Sequence, residues 1–253
     1  GKMETFNLLI PNLMGGASGS ELSEDSDVYQ VLKKNRVPNA KNIIKRMPTY
    51  WGDQPFTSGP VYIGAVICFL FVFGTFIVKG RLKWWLITCT LLSFALAWGH
   101  NMMWLTDIFL DYVPGYNKFR SVSMILVIAE LTIPLLGFLA LKEILSENTD
   151  KEEVIKSLKY SLGITGGLCL IFAFMGSFLF DFVSRGDAQL PDFIVSALES
   201  DRASLLQSDS LRSLFFILLT GLSIYLFHTK KIKMVAFASV LAVLVLADML
   251  PVN

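Results

Sequence analysis

Six apolar stretches, each close to the length a helix needs to cross a bilayer, divide most of this chain. A hydrocarbon core about 30 Å thick takes about 20 residues rising about 1.5 Å each. The first stretch runs from about Val61 to Val78 and carries no charge. The second opens at Trp84-Trp85 and closes at Trp98, with indoles marking both interfaces. The third, from about Val122 to Leu141, contains Glu130 and Pro134. The fourth, from about Tyr160 to Phe180, holds Gly163, Gly166 and Gly167, which permit close helix packing. The fifth spans about Leu214 to Phe227, and the sixth about Met234 to Leu250, with Asp248 near its end.

Composition agrees with that pattern. Hydrophobic residues make up 53% and charged residues 17%, and the mean hydropathy is +0.56. A soluble globule needs far more surface charge, and a disordered chain has the opposite composition. A net charge of +1 lacks the basic bias of a nucleic-acid binder, so no nucleic-acid partner is expected. The expected fold is all-α: a polytopic transmembrane helix bundle over residues 61–250. It has about six spanning helices, interfacial helices in outer loops at 99–120 and 181–213, and an extracytoplasmic amphipathic segment over 1–60. The N-terminus lacks the basic-then-apolar pattern of a signal peptide, because Pro11-Asn12 and Gly15-Gly16 interrupt it. Both ends read as cuts within a longer protein.

Lys and Arg in short connections set orientation. Lys79, Arg81 and Lys83 follow the first stretch, Lys142, Lys151, Lys156 and Lys159 the third, and Lys230, Lys231 and Lys233 the fifth. These connections are expected in the cytoplasm of a bacterial cell, with the multi-pass chain in the inner membrane and both of its ends outside. Lys41, Lys45 and Arg46 run against this rule, although longer external segments cross despite such charge. Within 1–60, Gly15 to Asp27 reads as a loop. Val28 to Met47, amphipathic and basic, reads as a helix lying on the bilayer surface. In the 99–120 connection Leu105, Phe109 and Tyr112 recur at helical spacing, which suggests an interfacial or re-entrant helix. In the 181–213 connection a helix should begin around Pro191.

The chemistry-bearing residues each have two readings. Cys68, Cys89 and Cys169 are an odd set without short-spaced pairs, and read as small apolar side chains. His100 interrupts an apolar stretch and is either a solvated interfacial residue or part of a site. Asp107 and Asp111 share a helix face. They are either a wet flank, or an acid–base pair that could hold a cation with a diphosphate. Glu130 should face the bundle interior, because a lipid-facing carboxylate costs about 2.5–3.5 kcal/mol. It serves either as a pocket or proton site or as helix–helix glue. Lys118, Arg120, Arg202 and Arg212 either anchor to headgroups or together clamp a lipid phosphate, to which a guanidinium presents a planar fork. Asp209 and Arg212 are spaced to pair. No metal-ligand spacing, phosphate-binding glycine loop or nucleophile elbow is present, so neither metal nor cofactor is expected.

Five strings together, METFNLLIPNLMGG, YWGDQPFTSGPVYIGA, LDYVPGYNKFR, DRASLLQSDSLRSL and LADMLPV, resemble the YfhO family of bacterial multi-spanning membrane proteins, most closely its Bacteroidota members. The resemblance covers essentially the whole chain. It implies a middle-to-late portion of a membrane-embedded glycosyltransferase of the C-type fold. Such an enzyme takes a sugar from a polyprenyl-phosphate carrier on the outer face and passes it to a cell-envelope glycan acceptor. The catalytic base of that fold lies in an earlier loop outside this chain, so no catalytic residue is carried over. The resemblance implies that Glu4, Asn12, Asp53 and Gln54 line the outer face, and that Arg120, Arg202 and Arg212 touch the lipid phosphate. The implied partners are membrane lipids, the sugar donor, the acceptor and the remainder of the full-length chain. Two alternatives from other classes remain: a lipid-linked solute transporter or flippase built on Glu130 and the Pro134 kink, and a noncatalytic envelope scaffold.

Overall fold

The computed structural model describes residues 1–252 except 55, 56, 58, 60, 119, 120, 147 and 148. The described chain is helical: α1 (Asp27–Lys34), α2 (Ala40–Ile43), α3 (Ala65–Ile77), α4 (Arg81–Ala97), α5 (Met103–Tyr112), α6 (Val127–Leu145), α7 (Lys151–Leu179), α8 (Asp192–His228) and α9 (Met234–Met249). Its only β pairing among the described residues is a single bridge between Ser20 and Met47. Three helical stretches are long and apolar enough to cross a membrane: Val122–Leu145, Lys151–Leu179 and Asp192–His228. A fourth is reached if Arg81–Ala97 and Gly99–Tyr112, bent by 115° at Trp98, count as one. α3 and α9 are apolar but shorter. Six crossings are therefore more than helix length alone supports.

α3 is the central post, packing against α4, α6, α7, α8 and α9. Its sequence AVICFLFVFGTFI is apolar all round, the pattern of a helix surrounded by other helices. Ala65, Val66, Phe69, Phe73 and Ile77 are fully buried. A Cβ added at Gly74 would lie 2.8 Å from the backbone oxygen of Leu136, so the missing side chain lets α3 and α6 approach this closely. Across the bundle small hydroxyl residues sit among the apolar core, and the outer surface is apolar too. Thr90, Ser161, Thr165, Ser210, Ser213 and Thr220 are buried, while Trp84, Trp85, Leu131, Phe138, Phe174 and Phe178 are exposed, Phe178 at 88%. Most of the buried hydroxyls bond carbonyls one turn back, such as Thr165 to Ser161 and Thr220 to Phe216, each at 2.8 Å. Thr90 and Thr132 bond each other at 2.7 Å across α4 and α6. Small polar residues inside and large apolar residues outside is the arrangement that lipid favours.

Alternation of the helices gathers the lysine-rich connections at one end of the bundle. There Lys79 pairs with Glu153 at 2.7 Å, and the α6–α7 connection faces the α8–α9 turn across a cavity. Residues 1–50 cap the other end. Leu8, Leu9, Ile10 and Leu13 are buried, Leu9 accepts a 2.8 Å bond from Ser213, and Phe6 meets Phe172 edge-on at 5.3 Å.

Two expectations change here. The basic segment from Val28 does not lay its apolar face on a lipid surface. Val28 and Leu32 are fully exposed to neither water nor lipid, being buried in one cluster with Ile194, Ala197 and Leu198 of α8. The connection 181–213 does not separate a short helix from a fifth span. Pro191 is indeed the N-cap, but the helix continues unbroken to His228. No Gly or Pro interrupts it before Gly221, and of the polar residues that suggested a wet loop, Asp201, Arg202, Ser210 and Ser213 are buried in protein.

Asp201 and Arg202, neighbours on α8, make that attachment. The Asp201 carboxylate accepts the first amides of α1, from Asp27 at 2.8 Å and Val28 at 3.0 Å, so α8 caps α1. Arg202 is wholly buried and uses all five of its N–H groups. Nε bonds the Thr49 carbonyl at 3.1 Å, Nη1 bonds Phe182 O at 2.6 Å and Asp187 Oδ2 at 2.7 Å, and Nη2 bonds Pro48 O at 2.6 Å and Asp187 Oδ1 at 3.0 Å. Phe182 is held at φ 53° beside this grip, a conformation that bulky residues rarely adopt.

Two stability outcomes follow. Arg202→Met leaves Asp187 buried without its cation and should cost about 3–5 kcal/mol, read as a lowered melting temperature in detergent and faster proteolysis within residues 15–50. Adding Asp187→Asn should restore part of the loss. Gly74→Val forces α3 from α6 and should cost about 1–3 kcal/mol, with no restoration by that second change.

Candidate functional site

At the capped end, two adjoining cavities share Glu4. The first, about 280 Å³, has Glu4, Tyr50, Gln54 and Thr57 on its polar side, and Leu8, Val61, Ala97, Trp98 and Leu126 on its apolar side. The second, about 330 Å³, is walled by Glu4, Trp51, Asp53, Asn101 and Phe180. Local sequence places these groups. Met3–Leu8 winds as a 3-10 helix that presents Glu4 in its first turn. The chain then returns through YWGDQ beside it. Tyr50 donates its hydroxyl to Glu4 and accepts the Gln54 amide at 2.9 Å, while Gln54 Nε2 donates to Glu4 Oε2 at 3.1 Å. α4 ends at Trp98, whose Nε1 donates to Thr5 Oγ1 at 2.8 Å.

Electrostatics sharpen the carboxylate. Burial pushes the Glu4 carboxyl up, while the bonds from Tyr50 and Gln54 push it down. Burial, then the bond to Glu4, pushes the Tyr50 phenol up. Tyr50 thus keeps its proton and donates that O–H to the Glu4 carboxyl group. Two further donors, Trp51 Nε1 and Asn101 Nδ2, are buried without a partner among the described residues, and both side chains wall the second cavity. Such orphans are uncommon in folded proteins. Together the walls can hold a hydroxyl-rich group, with carboxylates to accept, amide and indole N–H groups to donate, and flat aromatic rings for C–H faces.

A third cavity of about 400 Å³ adjoins the first through Gly16 and Gly59 and is lined by Asn12, Asp209 and Arg212. Asn12 Nδ2 donates to Asp209 at 2.7 Å. Arg212 does not pair with Asp209 as its spacing suggested. Its Nη2 donates to the backbone oxygen of Asp248 and lies 3.7 Å from that residue's carboxylate, and the guanidinium rests 5.3 Å from the Phe216 ring centre. Arg212 Nη1 has no partner among the described residues. Asp248 itself is buried and ties α9 to the start of α3, accepting Tyr62 Oη at 2.6 Å and the Val66 amide at 3.2 Å. Gly64, at φ +108°, leaves room for it: a Cβ there would meet Asp248 Oδ2 at 3.1 Å.

The structure brings together Glu4, Asp53, Gln54, Asn12 and Arg212 around these connected spaces. Arg202 is excluded from any phosphate clamp, because every donor is already bonded within the protein. Glu130 does not face the interior. It is exposed on α6, beside Val127 and Leu131, which are also exposed. His100, Asp107, Asp111 and Lys118 are exposed and line none of the three cavities. Arg120 lies outside the described residues. No group of three or more His, Cys, Asp or Glu among the described residues is arranged to hold a metal. Tyr50, Trp51, Trp98 and Asn101 escaped sequence reasoning. The only signal was their density in YWGDQ and in the WGHN turn.

No family model, curated protein or solved structure matches the chain.

Proposed function

We propose that this chain is part of a membrane-embedded glycosyltransferase that takes sugar from a polyprenyl-phosphate carrier and passes it to a cell-envelope acceptor. In this reading the helices make six crossings of a bacterial inner membrane, α3 and α9 spanning with help from their flanks. The lysine end lies in the cytoplasm and the capped end outside. The observation that carries it is the cleft at Glu4, where a polar wall that suits hydroxyls meets an apolar wall formed by the ends of the bundle helices. A lipid-linked sugar has the same two halves, and its reactive bond sits at the membrane–water boundary.

The residues divide the work. Glu4 and Gln54 accept and donate to sugar hydroxyls, Tyr50 keeps Glu4 aligned, and Trp98 offers its ring. Arg212, with one amino group still free among the described residues, takes the role first assigned to a group of cations. It neutralises the phosphate that departs, the point at which charge grows during transfer. Arg202 contributes only by holding the cap in place.

Transfer of radiolabelled sugar by membranes containing the full-length protein tests this. Glu4→Gln and Arg212→Lys should each reduce the rate by about tenfold or more at unchanged expression. Rates equal to wild type in both variants would remove the cleft from the reaction.

A further inference from the structure

α5 packs on the bundle by one edge, and Thr106 is its only buried residue. The Thr106 hydroxyl donates to the Gly99 carbonyl at 3.1 Å, and Phe109 meets Tyr116 edge-on at 5.5 Å. On the far side Trp104, Ile108 and Tyr112, spaced four apart, form a single stripe, exposed at 62%, 45% and 80%. Asp107 and Asp111, also exposed, form the stripe beside it. The open surface of α5 thus has an apolar edge and an acidic edge side by side. Leu110 borders the same small space as Met124, Val127 and Ile128 at the start of α6, and all four are exposed, so the apolar surface runs on from α5 to the flank of the bundle.

Direction decides what covers the stripe. The chain turns by 115° between Arg81–Ala97 and Gly99–Tyr112, which is 25° past a right angle. With α4 along the bilayer normal, α5 does not rise into water but crosses the surface and dips back towards lipid. Its ten residues are about 15 Å long, and at that slope the far end lies about 6 Å deeper than the start. A helix lying in the interface sinks about 5–10 Å into the headgroup–acyl boundary, whereas a re-entrant segment heads for the middle of a core about 30 Å thick. We infer that α5 is an interfacial helix whose partner is the outer leaflet of the bilayer. Trp104, Ile108 and Tyr112 rest among headgroups and upper acyl chains, the level that indole and phenol rings favour, while Asp107 and Asp111 face water. Asn101, two residues ahead of α5, walls the second cavity, so this anchorage holds the mouth of the cleft at the membrane surface. The inference rests on the membrane placement proposed above and not on sugar transfer.

Spin labels on the full-length protein in phosphatidylglycerol–phosphatidylcholine nanodiscs test this. With Cys68, Cys89 and Cys169 replaced by Ala, the label is carried by Asp107→Cys, Ile108→Cys, Asp111→Cys or Tyr112→Cys. Phe174→Cys, at an exposed residue of α7, is the control for membrane placement. From collisions with oxygen and with a water-soluble nickel chelate, labels at 108 and 112 should read depths of about 5–10 Å below the phosphates, and labels at 107 and 111 should lie in water. A second measurement keeps the native cysteines: lipids brominated near the headgroup should quench tryptophan emission, and Trp104→Phe should remove part of that quenching. Stripe labels in water with the Phe174 label in lipid would overturn the inference and leave the membrane placement standing, whereas a Phe174 label in water would remove both. A Tyr112 label at about 15 Å, half the core thickness, would make the segment re-entrant, and stripe labels shielded from both reagents would give the stripe to a protein partner. Either result overturns the inference, as does quenching unchanged by Trp104→Phe.

Discussion

A guanidinium wholly removed from solvent has to find a carboxylate and enough carbonyls, or it cannot be buried at all. Arg202 meets that demand by drawing on two stretches of chain: residues 48–49, far earlier in sequence, and the connection ahead of α8 that holds Phe182 and Asp187. The arrangement of the capped end is the solution to that single requirement. Pro48 and Thr49 must stop where their carbonyls reach α8, so Tyr50 arrives beside Glu4. Phe182 must turn where its carbonyl reaches Nη1, which sets Phe180 and Phe182 against Trp51 at centroid distances of 5.1 and 5.2 Å. The cleft walls are thus positioned by a cation that never touches the cleft.

The same economy recurs lower in the bundle. Asp248 lies at the far end of the chain from Gly64, yet it supplies the acceptors that the start of α3 lacks. A helix start buried without acceptors is costly, and an aspartate from a neighbouring helix removes that cost at the place where α3, α8 and α9 converge. Arg212 balances its charge. Charged residues here act as fasteners among helices whose apolar surfaces, in lipid, offer little preference for one another.

How far the sequence foretold this differs by element. The apolar stretches located α3, α4 and α9 to within about four residues, because length and hydropathy are local properties, whereas α7 begins at Lys151, well ahead of the apolar run that starts at Tyr160. The bend at Trp98 was legible in the Gly99-His100-Asn101 interruption. The continuity of α8 was not. DRASLLQSDSLRSL reads as polar and exposed when its partners are unknown, and several of those partners lie more than a hundred residues earlier in the chain. For the same reason Arg202 looked like an outward-facing cation. Glu130 misled in the opposite direction, since the cost of a lipid-facing carboxylate argued for the interior, whereas it stands near the start of α6, where the boundary with water is close. The string YWGDQ sat in view throughout, but only the return of the chain alongside Met3–Leu8 turns it into a wall.

α8 has 37 residues and is about 55 Å long at the standard rise. It carries Arg202 within its first third and His228 at its far end. A stiff rod of that length converts rotation into reach: tipping it by about 5° around its midpoint displaces each extremity by about 2 Å, in opposite directions. Displacement of the cap that Arg202 holds and displacement of the turn beyond His228 would therefore be mechanically one event, seen from two sides.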